Sequence, residues 1–136
     1  MDTKPMSYAW IGWAGAALLG MFAGYATWLL VVNARAYCDA GYEAADRFGF
    51  LYVELPVSVI GYGLSALIVH AVGRWLTRRA PTALRVCVPA LLVVTTLLFL
   101  AWTYFRTQGT LDGYYGDSGL CPPSNIPPWW PDWIPA

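Results

Sequence analysis

Apolar positions fall into three long runs joined by short polar links. The first covers Tyr8 to Asn33 and carries no acid or base apart from its tyrosines. The second covers about Phe48 to Gly73 and holds one carboxylate, Glu54, and one imidazole, His70. The third covers about Ala83 to Phe105 and is almost wholly Leu, Val, Thr and Ala beyond Arg85. A helix rising 1.5 Å per residue needs roughly 20 apolar residues to cross a ~30 Å hydrocarbon core. All three runs meet that length. They predict an all-α membrane protein with spans at about 8–33, 48–73 and 83–105. Residues 1–106 form its membrane domain, and 107–136 form a separate tail.

Composition removes the soluble alternative. Apolar residues make up 58 % of the 136-residue chain and charged residues 12 %, about half the charge of an ordinary soluble domain. Too few polar side chains remain to coat three such helices in water. The eight basic and eight acidic residues balance, so the chain lacks the cationic surplus of a nucleic-acid binder. Low charge likewise excludes a charge-driven disordered chain. The first partner is the lipid bilayer. Abundant Ala, Gly, Trp and Arg with almost no Lys suits a GC-rich bacterial genome, and hence a bacterial cell membrane.

Charge in the links sets an expected orientation. The second link holds Arg74, Arg78, Arg79 and Arg85 with no acid. The first link mixes Arg35 and Arg47 with Asp39, Glu43 and Asp46, and the tail mixes Arg106 with Asp112, Asp117 and Asp132. The arginine link is therefore expected in the cytoplasm, together with the N-terminus and Lys4. The first link and the C-terminal tail are expected outside. Ala34-Arg35-Ala36 loosely matches a signal-peptide cleavage site, but the first apolar run far exceeds the usual 7–15 residue core of such a peptide. It is expected to remain as a span.

Small residues mark expected helix contacts. Gly12, Ala16, Gly20 and Gly24 recur every four residues in the first run. Such a stripe lets two backbones approach closely in lipid. Gly61 and Ser65 offer a matching pair on the second span, with another protein as the alternative partner. Pro56 and Pro89 are expected to bend their helices mildly. Aromatics near the span ends, such as Trp10, Trp28 and Trp102, suit the headgroup level.

Three cysteines sort by side. Cys38 and Cys121 both fall on the expected outside, where disulfides persist, and a bridge between them is predicted. Its loop of about 80 residues would contribute perhaps ~4 kcal/mol in the chain-entropy account. Cys87 reads as a small packing residue. The tail ends with six prolines in fifteen residues, interleaved with Trp129, Trp130 and Trp133. It is expected to fold over the outer helix ends, to offer its tryptophans to a partner, or both.

Glu54 is the intramembrane group of most interest, because acids there are costly and often functional. Arg47, seven residues earlier on the same helical face, and Arg106 are its expected partners. His70, near the inner end of its span, is expected to be structural. Catalytic and cofactor chemistry finds no set of residues. One His cannot supply bis-His haem ligation, no group resembles a zinc site, and neither a CxxC motif nor a phosphate-binding loop occurs. No cofactor is expected. The functional expectation is a small non-enzymatic membrane protein, an accessory or stabilising subunit of a larger complex. A protector that binds an external partner through its tail is one alternative, and a homo-oligomeric channel or small transporter using Glu54 is another.

Overall fold

The computed structural model describes residues 9–114 and 116–136. Lys4 and Tyr8, the expected start of the first span, lie outside the described residues. The described residues are all-α up to Gly109. Helix α1 (Ala9–Cys38) is followed by the short α2 (Ala44–Gly49), α3 (Leu55–Leu76) and α4 (Thr82–Tyr104). A π-helical turn, Phe50–Glu54, joins α2 to α3, and a second, Phe105–Gly109, extends α4. These make three apolar helical segments, Trp10–Cys38, Ala44–Leu76 and Thr82–Gly109, of 29, 33 and 28 residues. At 1.5 Å per residue each exceeds a ~30 Å core, so their ends reach the headgroup layer.

Both ends of the first link depart from expectation. Nothing between Asn33 and Cys38 breaks a helix, so α1 continues and carries Arg35 with it. It stops at Asp39, whose φ of 51° is left-handed. The Ala40 N–H returns to the Arg35 carbonyl at 3.1 Å, the longer bond of a Schellman ending with Asp in the usual glycine position. The next helix begins at Ala44, earlier than Phe48, because the Asp46 carboxylate accepts the Glu43 N–H at 3.2 Å and satisfies a free donor of the first turn. Pro56 occupies the first turn of α3, where a missing N–H costs little. Immediately before it, Leu55 N–H reaches back five residues to the Phe50 carbonyl.

Helix α3 packs along both α1 and α4, and α1 meets α4 less extensively. Gly20 and Gly24 of the predicted stripe bring α1 onto α3. A Cβ on Gly20 would come within 2.6 Å of the Tyr62 carbonyl oxygen, and one on Gly24 within 2.6 Å of the Ser58 carbonyl oxygen. Ser58 Oγ donates to the Gly24 carbonyl at 2.9 Å. The opposing face is thus Ser58, Tyr62, Gly63 and Ala66, not Gly61 and Ser65. Gly61 faces open space, and Ser65 Oγ donates to the carbonyl of Gly61 in its own helix. Near the arginine link, α3 and α4 close on each other at Gly73 and the buried Pro89, whose Cα lies 2.8 Å from where a Gly73 Cβ would stand. Pro89 therefore serves as a contact surface inside α4.

Large apolar side chains such as Phe22, Val57 and Leu98 remain exposed along all three segments. In water that surface would drive aggregation; in a bilayer it is the lipid face. From Thr110 on, the described residues contain no helix and fold over one end of the bundle. Cys38 and Cys121 form a disulfide there, their Cα atoms 5.4 Å apart. Asn125 organises the cap. It is 2 % exposed and adopts a left-handed φ of 54°. Its amide donates to the carbonyls of Leu111 and Tyr114, closing the first half of the cap onto the second.

Candidate functional site

The polar groups within the spans concentrate at the disulfide end. Arg35 is 8 % exposed although it lies in the last turn of α1. Its guanidinium donates through Nε to the Gln108 carbonyl and through Nη2 to Gln108 Oε1 at 3.2 Å. The same group lies over the Phe50 ring, 4.8 Å from its centroid. Trp28 Nε1 donates to the Phe50 carbonyl at 2.9 Å. One cation thus ties α1 to both π-helical turns. Burial of a charge is tolerated only when it is paired or hydrogen-bonded, and Gln108 with the ring face supplies that here. Sequence reasoning placed Arg35 in a solvated link; the unbroken helix-compatible stretch Ala-Arg-Ala-Tyr-Cys is the signal that would have moved it.

Glu54 stands one turn after Phe50. Its Oε2 accepts the Tyr104 hydroxyl proton at 2.7 Å. The expected arginine partners do other work. Arg47 donates to the Tyr42 carbonyl at 3.2 Å and covers the Tyr42 ring. Arg106 lies over Trp102. Helix Ala44–Leu76 has residue 60 at its midpoint, which puts Glu54 six residues, about 9 Å, from the middle. Half of a ~30 Å core is about 15 Å, so the carboxylate lies within the hydrocarbon depth.

Glu54 also lines an open groove of about 450 Å³ between α3 and α4, shared with Ser58, Gly61, Tyr62, Ser65, Tyr104 and Gln108. The Tyr62 hydroxyl is buried beside Thr27 at no bonding geometry. Tyr104 engages only one carboxylate oxygen of Glu54. Gly61 sits on the groove wall with nothing within 4 Å of a would-be Cβ. The groove thus carries an acid in its lining and, over Gly61, room for a side chain.

The three tail tryptophans have different surroundings. Trp130 stacks against Phe105, which is 0 % exposed, in a cluster with Val31 and Ala34. Its Nε1 donates to the Ile134 carbonyl at 2.9 Å. Trp129 meets the edge of Tyr37 and stays 44 % exposed, whereas Trp133 is 81 % exposed. Trp102 Nε1 donates to the Pro135 carbonyl at 2.7 Å, which fastens the end of the tail to α4.

At the arginine end, Gly12 and Ala16 border a second groove with His70. The His70 ring meets Trp13 edge to face, centroids 5.2 Å apart, and its Nε2 is buried without a partner. Cys87 is exposed on α4 near the same end. Beside the cap, Asp39, Glu43 and Asp117 border a shallow concavity. Among the described residues no cluster of three or more His, Cys, Asp or Glu has the geometry to hold a metal ion. No family model, curated protein or solved structure matches the chain.

Proposed function

We propose that this protein is a non-enzymatic subunit that docks in the bilayer against a larger membrane complex through the α3–α4 groove. The observation that carries this reading is Glu54, held at hydrocarbon depth with one oxygen engaged by Tyr104 and the groove beside it open to the membrane. Lipid tails offer such a group no hydrogen bond. A helix from another protein, bearing a donor such as Ser, Thr or Asn, completes it and fills the space over Gly61. Internal packing already uses Gly20 and Gly24, so the small-residue stripe is not the docking face. In this reading the arginine link lies in the cytoplasm, the disulfide cap lies outside, and the protein resides in a cell membrane.

The experiment is purification from native membranes in mild detergent, comparing wild type with Gly61→Leu. A Cβ on Gly61 would meet no atom within 4 Å, so the added side chain is expected to fill the groove and leave the fold intact. Stoichiometric co-purification that Gly61→Leu abolishes is the expected result. Wild-type protein that emerges alone, or only as copies of itself, overturns the reading.

A second reading rests on the cap. Trp133 and Leu120 are exposed on a segment fixed by a disulfide, a rigid apolar surface suited to an external partner. Under this protector reading, Trp133→Ala abolishes partner capture and Gly61→Leu does not.

A further inference from the structure

The arginine end combines two adjoining cavities. One is an apolar groove of about 350 Å³ running between α1 and α4, with Gly15 and Leu19 on one side and Val93 and Val94 on the other. The second is a smaller polar niche bordered by Arg74, Thr77, Arg78 and Arg85. Arg74 and Arg85 border both. The cationic niche and the apolar groove are therefore one continuous amphiphilic surface at the mouth of a membrane span.

We infer that this surface binds an anionic diacyl phospholipid, with its phosphate among Arg74, Arg78 and Arg85 and one acyl chain along the α1–α4 groove. Charge complementarity selects the occupant. The segment 74–85 carries four arginines and no acid, so its positive charge has no counter-charge within the segment. Arg85 spends one donor, Nε, on the Ala80 carbonyl at 2.8 Å, and a guanidinium has five N–H donors.

The apolar half excludes a purely polar anion as the natural occupant. Gly15 has nothing within 4 Å of a would-be Cβ, which leaves the groove wall flat enough for a hydrocarbon chain. His70 lies one turn deeper than Arg74, about 6 Å along the helix. Among the described residues its buried Nε2 has no hydrogen-bond partner. Basic pockets at the ends of membrane helices are established headgroup sites in general. The inference stands independently of the α3–α4 docking reading, since it uses the opposite end of the molecule.

The test is native mass spectrometry of the full chain in mild detergent, titrated with dioleoyl phosphatidylglycerol and, separately, dioleoyl phosphatidylcholine. Phosphatidylglycerol is expected to be retained preferentially. The double variant Arg74→Gln/Arg85→Gln is expected to weaken retention about thirtyfold, at about 1 kcal/mol per arginine. Arg74→Lys/Arg85→Lys, which keeps the charge, is expected to restore most of it. Arg79→Gln, which removes a charge from the same link but borders neither cavity, is expected to leave it unchanged. Gly15→Leu, which alters no charge, is expected to weaken it as well.

Equal retention of the two lipids overturns the inference, as does an Arg79→Gln effect as large as that of the double variant. Inorganic phosphate that displaces the lipid at equal concentration, or a Gly15→Leu protein that binds like wild type, also overturns it, because the apolar groove would then contribute nothing.

Discussion

Trp130 stacks on Phe105 with ring centroids 3.8 Å apart and planes 15° from parallel. This pair is the main apolar contact between the helix-free tail and the membrane helices, for Phe105 is fully buried among Val31 and Ala34. Trp130→Ala is expected to cost on the order of 3 kcal/mol, at the low end for large aromatic truncations. The readout is the rate of limited proteolysis within residues 122–136. Trp133→Ala, at an 81 % exposed position, should leave that rate unchanged. Equal rates for Trp130→Ala and wild type would mean that the stack does not hold the cap.

Close backbone approach makes the helix glycines unequal. Gly24→Leu must push α3 away, since even a Cβ would stand 2.6 Å from the Ser58 carbonyl oxygen, and it also disturbs the Ser58–Gly24 hydrogen bond. A marked drop in thermal unfolding temperature in detergent is expected. Gly61→Ala meets no atom and gains helix propensity of up to about 1 kcal/mol. An unfolding temperature equal to or above that of wild type is expected for it. The opposite ranking of the two variants would refute the α1–α3 interface described above.

Asn125 contributes through donors as well as shape. Its amide serves two carbonyls from a nearly fully buried position. Losing them leaves two acceptors unsatisfied, at roughly 1–3 kcal/mol each. Asn125→Asp keeps the outline but sets a carboxylate against those carbonyls, and it is expected to loosen the cap more than Asn125→Ala. Hydrogen exchange across residues 110–125 reports the order.

The proposed orientation rests on the arginines of the second link. In a Cys87→Ala background, Arg79→Cys should react with a membrane-impermeant thiol reagent only from the cytoplasmic side. Asp112→Cys should react only from outside. Thr77 is less suitable as a probe because it is buried and its hydroxyl returns to the Gly73 carbonyl. Reaction of both variants from one side would refute the three-span topology.

The spans and the disulfide were legible because each depends on a coarse property: run length against bilayer thickness, and two thiols on one side of the charge asymmetry. The face of α3 was not. Small residues lie on both sides of that helix, at Gly61 and Ser65 and at Ser58, Gly63 and Ala66, and lipid is as apolar as a neighbouring helix. Hydrophobicity alone therefore does not rank the two faces. The partner of Glu54 was hidden for a related reason. Helical spacing pointed to Arg47 on the same element, whereas Tyr104 comes from α4, fifty residues away in sequence. Arg35 escaped because a charge after an apolar run reads as the end of a span, and only the tertiary arrangement brings Gln108 to it.

The 83-residue separation of Cys38 and Cys121 sets an order of events during biosynthesis. Two helical segments must be synthesised between the two thiols, which at typical elongation rates of about 5–20 residues per second takes roughly 4–17 s. Through that interval the Cys38 thiol waits without its partner, while Cys87 is carried on α4 at the far end of the bundle. Closure therefore follows insertion of both later helices and records that they have crossed. With the cap on the outer side, as proposed, a nascent chain stalled after its first or second span keeps the Cys38 thiol unpaired.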